Sequence, residues 1–418
     1  MATVVLLGTC DTKLEELLFL RSRILDNKKQ LQVVMIDVGR HPVSHDAITI
    51  SHSQLVSQYG DSTRAGPSLS DLPRAEVIKL MSSCATAAVK HLFATHAIHG
   101  IISAGGSGGT SLAAPVMRDA VPIGFPKLLV STVASGDVGA YVGESDMAML
   151  YSVLRFPPAP PTSLQEQDIP TRRVGITMFG VTTPAVTTIR RHLSTGPFRT
   201  ASSPAPVALE LFVFHATGAG GRAMERLVRA GALDAVLDLT TTEICDLVVP
   251  GSVMSAGPGR LSAAVERGIP CVVSLGATDM VNFGARGTVP ERYVAAGRRL
   301  YEHNSAVTLM RADEAEARMV GEFVCGKLRG VEEEGRVELW IPRGGLSVMS
   351  TAGGVFEDRK VDAVLFDTLK SGLHGTRVRV VEDERDVNDE GFAEAVAEAL
   401  LRVMGLERSG LHSQLHGP

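Results

Sequence analysis

The sequence predicts an α/β protein with two Rossmann-like subdomains, each built on a mainly parallel sheet, and with the two sheets facing a central cleft. Short β-branched runs are repeatedly followed by a Gly-, Thr-, Ser- or Asp-rich loop and then by an amphipathic stretch. That order is typical of βαβ units. The pattern occurs in both halves of the chain, and a length of 418 residues exceeds one ordinary core.

In the first half the chain alternates between apolar runs and polar loops. We expect helices at 14–24 and from the second glycine-rich loop to residue 117. Right-handed crossovers place the loops after parallel strands along one edge of the sheet. The predicted strands are 4–7, 32–36, 100–103 and 127–130.

A proline-rich stretch at 156–173 interrupts the pattern, because proline removes backbone donors and blocks a helix. Strands are then expected at 174–178, 209–214, 235–237, 270–274, 306–309 and 337–341. We therefore predict an N-terminal nucleotide-binding subdomain at 1–165, a C-terminal subdomain at 166–406 and a flexible tail at 407–418.

Composition and charge narrow the class of protein. Hydrophobic residues make up 44% and charged residues 21%, which excludes a disordered chain. The net charge of −5 favours neither nucleic acid nor an anionic membrane as a partner. Five dispersed cysteines without a CxxC pair indicate a reducing compartment, and the N-terminus lacks the pattern of a signal peptide. We predict a cytoplasmic location.

The strongest local motif has four glycines within five residues, between a predicted strand and a predicted helix. Glycines let the backbone approach a ligand, and a helix N-terminus offers free N–H groups to an anion. A tight turn with close helix–sheet packing is the alternative. The candidate phosphate-binding residues here are Gly105, Gly106, Ser107, Gly108, Gly109 and Thr110.

Three more first-half loops supply candidate ligands of a nucleotide. Lys13 could neutralise phosphate and Asp11 could bind Mg²⁺, although helix capping by the same residue types is equally compatible. Arg40 could clamp a phosphate or a ribose. The candidates in these loops are Gly8, Thr9, Asp11, Thr12, Lys13, Gly39, Arg40, Thr132, Ser135 and Gly136, with Asp11 as the metal ligand.

The second half contains a similar glycine loop, with Gly220, Gly221 and Arg222 as candidate ligands. An arginine at a helix N-terminus opposes the helix dipole, which indicates that an anion offsets it. His215, at a strand end, could be a general base, or it could simply be hydrogen-bonded. Candidate catalytic residues are His215, Glu243 and His303, of which Glu243 could pair with either histidine.

These loops together resemble a family of bacterial, fungal and plant proteins. The family includes the N-terminal ATP-binding domain of a tomato protein that confers resistance to tomato mosaic virus. The resemblance implies two Rossmann-like subdomains, ATP binding through the first-half loops, and a homodimer. The motifs that carry it are GTCDTK (8–13), SAGGSGGTSLA (103–113), GITMFGVTTP (175–184), FHATGAGGRAME (214–225), LDLTTTE (237–243), SAGPGRL (255–261), GATDMVNFG (276–284) and YEHNSAVTLMR (301–311).

The leading interpretation is therefore an ATP-binding protein with Mg²⁺ as cofactor. One alternative is a metabolic enzyme that acts on a phosphorylated or carboxylated small molecule by acid–base chemistry in the cleft. Another is an interaction protein whose dimer is stabilised by the nucleotide. The residues leave open whether ATP is hydrolysed.

Overall fold

A computed structural model of the chain describes residues 2–26, 31–60, 72–134, 138–152, 154–156, 169–200 and 202–408. The chain divides into two compact units. Unit 1 comprises Met1–Ser152, Gly284–Thr288 and Tyr301–Thr308, and unit 2 comprises Val153–Phe283, Val289–Leu300 and Leu309–Pro418. The predicted boundary between residues 165 and 166 lies outside the described residues. Of the predicted tail, Glu407 and Arg408 belong to a short strand, and 409–418 also lie outside them.

Unit 1 contains a five-stranded parallel sheet in the order β2-β1-β3-β4-β5. Its strands are β1 (Ala2–Gly8), β2 (Leu31–Asp37), β3 (Gly100–Gly105), β4 (Lys127–Ser131) and β5 (Ala148–Tyr151). Its helices are α1 (Cys10–Leu25), α2 (His52–Tyr59), α3 (Arg74–Ala94), α4 (Ser107–Asp119) and α5 (Gly139–Val142).

The longest helix of unit 1, α3, packs into the core of the unit. By length and composition alone, α3 could cross a membrane. One face of α3 is instead buried in the core cluster of the unit, through Val77, Met81, Ala85 and Val89. Residues spaced at three and four positions form such an apolar stripe, so α3 is a core helix of an α/β unit.

Unit 2 contains a nine-stranded sheet in the order β16-β15-β11-β10-β7-β9-β8-β17, with β6 also paired to β9. Apart from that sheet, the C-terminal part of the described chain has a three-stranded sheet in the order β12-β14-β13, in which residues 301–304 and 307–308 belong to unit 1. The strands are β6 (Leu154–Phe156), β7 (Thr171–Met178), β8 (Phe198–Thr200), β9 (Ser203–His215), β10 (Ala235–Thr240), β11 (Cys271–Gly276), β12 (Met280–Phe283), β13 (Leu300–Asn304), β14 (Val307–Arg311), β15 (Val337–Pro342), β16 (Arg379–Asp383) and β17 (Leu406–Arg408).

Eight α-helices lie in the C-terminal part of the described chain. They are α6 (Thr183–Leu193), α7 (Ala219–Arg229), α8 (Glu243–Val248), α9 (Ala263–Glu266), α10 (Glu291–Ala295), α11 (Glu314–Leu328), α12 (Arg359–Leu373) and α13 (Glu390–Val403). Two short 3₁₀ helices cover Gly180–Thr182 and Arg286–Thr288.

The parallel strands of the two units follow one order. Numbered along the chain, the unit 1 strands lie 2-1-3-4-5. The parallel strands of the large sheet, β7, β9, β10, β11, β15 and β16, lie 2-1-3-4-5-6. The prediction of an α/β protein with two mainly parallel sheets is confirmed, and each sheet has a switch point between its first and third strands.

Candidate functional site

The switch point of unit 1 brings two of the predicted loops together. Strands β1 and β3 are neighbours, with Leu7 in register with Ser103. The loop at 8–13 follows β1 and the loop at 105–110 follows β3. Both therefore lie at the carboxyl edge where the strand order reverses, which is the usual place for a ligand in an open α/β sheet.

The glycine loop of unit 1 leaves its backbone donors open. Gly106 is the N-cap of α4 in an extended conformation, and the first bond of the helix runs from Thr110 N–H to Gly106 O. Among the described residues, the N–H groups of 106–109 donate no hydrogen bond. A helix N-terminus with such free donors and a positive dipole end suits an anion.

Packing also constrains part of this loop. A Cβ on Gly105 would lie 3.1 Å from Gly109 Cα, so Gly105 is required for close helix–strand packing. The nearest atom to a Cβ on Gly106 is Thr132 Oγ1 at 3.8 Å, and a Cβ on Gly109 meets nothing within 4 Å. Thr110 Oγ1 and Ser131 Oγ lie 2.7 Å apart. Packing therefore accounts for Gly105 but not for Gly106 or Gly109.

A cation that the sequence analysis did not single out lies beside this loop. A Cβ on Gly108 would lie 2.7 Å from Arg74 Nη2. Arg74 is exposed and opens α3. Its charge also acts on His303: burial, with a smaller contribution from Arg74, lowers the pKa of His303 to about 4. His303 is therefore neutral at pH 7.

The loop after β1 is held by internal contacts. A Cβ on Gly8 would collide with Leu17 Cδ1 at 2.4 Å, so this glycine is needed for packing. Thr9 and Thr12 bring their hydroxyls to 2.9 Å of one another. Lys13 Nζ pairs with Glu16 at 3.0 Å. Thr9 is the N-cap of α1 and makes no capping hydrogen bond through its side chain, so capping by Asp11 or Thr12 is not what the structure has, and Lys13 is paired in the first turn.

Arg40 and Thr132, two other predicted ligands, donate hydrogen bonds to backbone carbonyl groups. Arg40 Nη2 donates to Leu72 O at 2.8 Å, so its guanidinium is tied to the backbone. Thr132 follows β4, and its N–H donates to Gly105 O. Ser135 and Gly136 lie outside the described residues.

Two carboxylates converge at the ends of β1 and β2. Asp37 Oδ1 accepts from the N–H groups of Cys10 (3.1 Å) and Gly39 (2.9 Å). Asp11 Oδ2 accepts from the N–H groups of Arg40 (2.8 Å) and His41 (3.1 Å). The second oxygens, Asp11 Oδ1 and Asp37 Oδ2, are buried and have no hydrogen-bond partner in the described part of the chain.

The glycine loop of unit 2 binds a carboxylate of the protein itself, that of Glu243. Glu243 Oε1 accepts from the N–H groups of Gly218 (2.6 Å) and Gly221 (3.0 Å) at the start of α7. A Cβ on Gly221 would lie 2.1 Å from Glu243 Oε2. The anion that the sequence analysis expected beside Arg222 is therefore Glu243. Arg222 itself is exposed, and its Nη1 donates to Ser255 O at 2.8 Å.

A buried ion network surrounds that carboxylate. Arg260, only 1% exposed, donates through Nε to Glu243 Oε2 (2.7 Å). Its Nη2 donates to Asp238 Oδ1 (2.6 Å), and its Nη1 lies 3.6 Å from Glu225 Oε1. Burial raises the pKa of Glu243, whereas Arg260 and the loop N–H groups oppose that rise.

The switch point of unit 2 is closed by protein groups. Thr182 Oγ1 and Thr240 Oγ1 lie 2.8 Å apart, one before α6 and the other at the end of β10. Asn388 covers the start of α6, since it accepts from Ala185 N–H (3.3 Å) and donates to Val181 O (3.0 Å). Polar groups at this edge therefore satisfy one another.

The three proposed catalytic residues differ in their surroundings. Both oxygens of Glu243 are occupied, and His215 is 4% exposed beside the ring of Phe179, 5.3 Å away between centroids. His303 belongs to unit 1, and the other two belong to unit 2. Glu243 does lie at the second glycine loop, but as a buried structural anion.

Arg74 and Asp37 are the residues that sequence analysis missed. Asp37 directly follows a predicted strand, and Asp11 was chosen as a candidate because it also lies in a loop after a predicted strand. Arg74 is the first residue of α3, and no motif surrounds it in the sequence. In the described residues no group of three or more His, Cys, Asp or Glu side chains could hold a metal.

Comparison with known proteins gives matches over nearly the whole chain. The uncharacterised protein family (UPF0261) N-terminal domain matches residues 2–156, and the C-terminal domain of the same family matches 171–404. A UPF0261 protein of Clostridium tetani is 39% identical, over 96% of this chain and 98% of that protein. One of Rhizobium meliloti is 38% identical, over 96% and 98%. The ToMV resistance protein Tm-1(GCR237) of Solanum lycopersicum is 33% identical, over 96% of this chain and 55% of its own length.

Proposed function

Because the chain belongs to the uncharacterised protein family UPF0261, whose two domains it contains, we propose that it binds ATP at the switch point of unit 1. The observation that carries the proposal is the open N-terminus of α4, where the N–H groups of 106–109 have no partner among the described residues. Phosphate oxygens supply both the charge and the acceptors that such a terminus lacks.

The difference between the two glycine loops supports an ATP site in unit 1 rather than in unit 2. In unit 2 the corresponding donors, Gly218 and Gly221, are taken by Glu243. In unit 1 the loop has Arg74 beside Gly108 instead. Arginine suits phosphate because its fork of donors matches two oxygens at once.

ATP is the first choice of ligand because of the family resemblance in the loop motifs. Mg²⁺ would accompany it, with Asp11 Oδ1 as the protein's contribution, since this oxygen is buried and no described residue donates a hydrogen bond to it. Mg²⁺ is bound by one or two carboxylates together with substrate phosphates in such sites. The nucleotide thus completes a coordination shell that the protein leaves open.

Calorimetric titration of the folded protein with ATP, ADP and AMP, each with and without Mg²⁺, tests the proposal. Affinity should increase with the number of phosphates. A Gly106→Val variant should lose ATP binding and keep approximately its melting temperature, because the nearest atom to a Cβ there, Thr132 Oγ1, lies at an ordinary contact distance of 3.8 Å. Gly326→Val, on an exposed position of α11 in unit 2, is the matched control. Heat signals that are equal for ATP and for adenosine would contradict phosphate recognition.

We also propose that the protein is a cytoplasmic homodimer without a membrane or nucleic-acid partner. All five cysteines are free and buried, which suits a reducing compartment. Ile123 (77% exposed) and Leu150 (57%) offer apolar surface on unit 1 for a second copy. Light scattering coupled to gel filtration should give about twice the mass of one chain, and the mass of a single chain would refute the dimer.

A further inference from the structure

We propose that Asp11 and Asp37 together form a divalent-cation site that binds Mg²⁺ or Mn²⁺ through Asp11 Oδ1 and Asp37 Oδ2. The inference rests on the proposed function in one respect, since the cation would bridge these carboxylates to the phosphates. The inference adds Asp37 as a second ligand of the cation. It also predicts that the protein binds the cation without the nucleotide.

The two carboxylates are held in the same way. Each has one oxygen fixed by two backbone N–H groups, and the other oxygen has no partner within the ranges that the structure describes. Hydrogen bonds to the first oxygen orient the carboxyl group and leave the second oxygen as a single donor for a metal. Asp37 is 0% exposed, so its unpaired oxygen cannot be satisfied by bulk water.

Gly39 brings the two side chains to one place. A Cβ on this residue would lie 2.6 Å from Asp11 Oδ1 and 3.1 Å from Asp37 Oδ1. Both carboxylates therefore border the space that a side chain at 39 would fill. Their charges also act together on Cys10, since burial first, and then Asp37 and Asp11, raise the pKa of its thiol far above the ordinary range.

Electrostatics explains why a cation is needed there. The carboxylates lie at the ends of β1 and β2, and the glycine loop follows β3, on the other side of β1. A polyphosphate at that loop would face two negative charges. A divalent cation between them converts the repulsion into attraction, and hard oxygen donors select Mg²⁺ or Mn²⁺ over soft-ligand metals.

The test is titration of nucleotide-free protein with Mn²⁺, followed by electron paramagnetic resonance. Asp11→Asn and Asp37→Asn keep an acceptor for the backbone N–H groups, so both should fold, with melting temperatures in EDTA equal to or above that of the wild type. Each should weaken Mn²⁺ binding by about tenfold or more. Asp119→Asn, at an exposed position of α4, removes the same charge and should have no effect.

The outcomes separate this inference from the proposed function. Mn²⁺ binding that is lost in both variants supports the cation site, whether or not ATP binds. Mn²⁺ affinity within twofold of the wild type in either variant overturns it. ATP binding that is equally tight in EDTA and in Asp37→Asn would also overturn the cation site and would leave the nucleotide proposal intact.

Discussion

Arg260 Nε donates to Glu243 Oε2 across 2.7 Å, and both side chains are fully enclosed by unit 2. The arginine thereby fixes the carboxylate that covers the start of α7. Loss of Glu243 would leave the Nε–H of Arg260 without this acceptor, while Asp238 would still pair with the guanidinium. An unsatisfied buried donor costs about 1–3 kcal/mol, so the stability of unit 2 should depend on this contact.

Replacement of Glu243 by glutamine should lower the free energy of unfolding by about 1–3 kcal/mol, because the buried Nε–H of Arg260 would face an amide NH2 and lose its acceptor. Urea unfolding followed by tryptophan fluorescence measures this, since the single tryptophan, Trp340, lies in unit 2. Glu266→Gln is the control. Its pair with Arg229 is exposed, and we expect a loss of about 0–1 kcal/mol. Equal losses in the two variants would contradict the structural role of Glu243.

Asp246 should make unit 2 less stable as the pH rises. Burial raises its pKa from 3.8 to about 7, so the folded state keeps a proton that the unfolded chain releases. The stability contribution is present below about pH 4 and is lost as the pH rises through about 7, with a slope of up to about 1.4 kcal/mol per pH unit.

Asp246→Asn should flatten that profile between pH 4 and pH 7, measured through Trp340 fluorescence in urea. The amide keeps an acceptor for Asn282 N–H, but its NH2 group would face Asn282 Nδ2, so the variant should be less stable at every pH and only the slope tests the titration. Burial also raises the pKa of Asp362, to about 6. Asp362 therefore gives a smaller slope of the same sign, in the wild type and in the Asp246→Asn variant alike. A profile as steep as that of the wild type would show that Asp246 titrates normally.

Replacement of Arg74 by alanine should weaken ATP binding by about tenfold, because a charge-assisted hydrogen bond is worth about 1.5–3 kcal/mol. Isothermal titration calorimetry measures the change. Lys79→Ala removes the same charge from an exposed position of the same helix and should leave the affinity within twofold. Similar losses in both variants would point to general electrostatic attraction.

The same Arg74→Ala variant should raise the pKa of His303 above about 4, since the positive charge of Arg74 is one of the two causes of its low value. Burial is the larger cause, so the pKa should stay below 6.5. Proton NMR titration of the ring, assigned with a His303→Gln variant, gives the value. An unchanged pKa would mean that Arg74 does not act on this ring.

Sequence periodicity predicts the strand–loop–helix units well, because each depends on residues close together in the chain. The glycine loop at 105–110 is such a case, and it does join β3 to α4. The partner of the second glycine loop was beyond prediction. Glu243 reaches Gly218 from 25 positions away, and Arg260 approaches from a different loop. A local pattern indicates that a helix terminus needs an anion, but tertiary packing decides whether the protein or a ligand provides it.

The division of the chain has a consequence for biosynthesis. Segments Gly284–Thr288 and Tyr301–Thr308 belong to unit 1, although residues 153–283 of unit 2 precede both. A ribosome delivers His303 only after much of the second unit has emerged, so the first unit cannot finish folding in the order of translation. An expression fragment that stops at residue 152 would lack these segments, and only longer fragments could report on the complete unit.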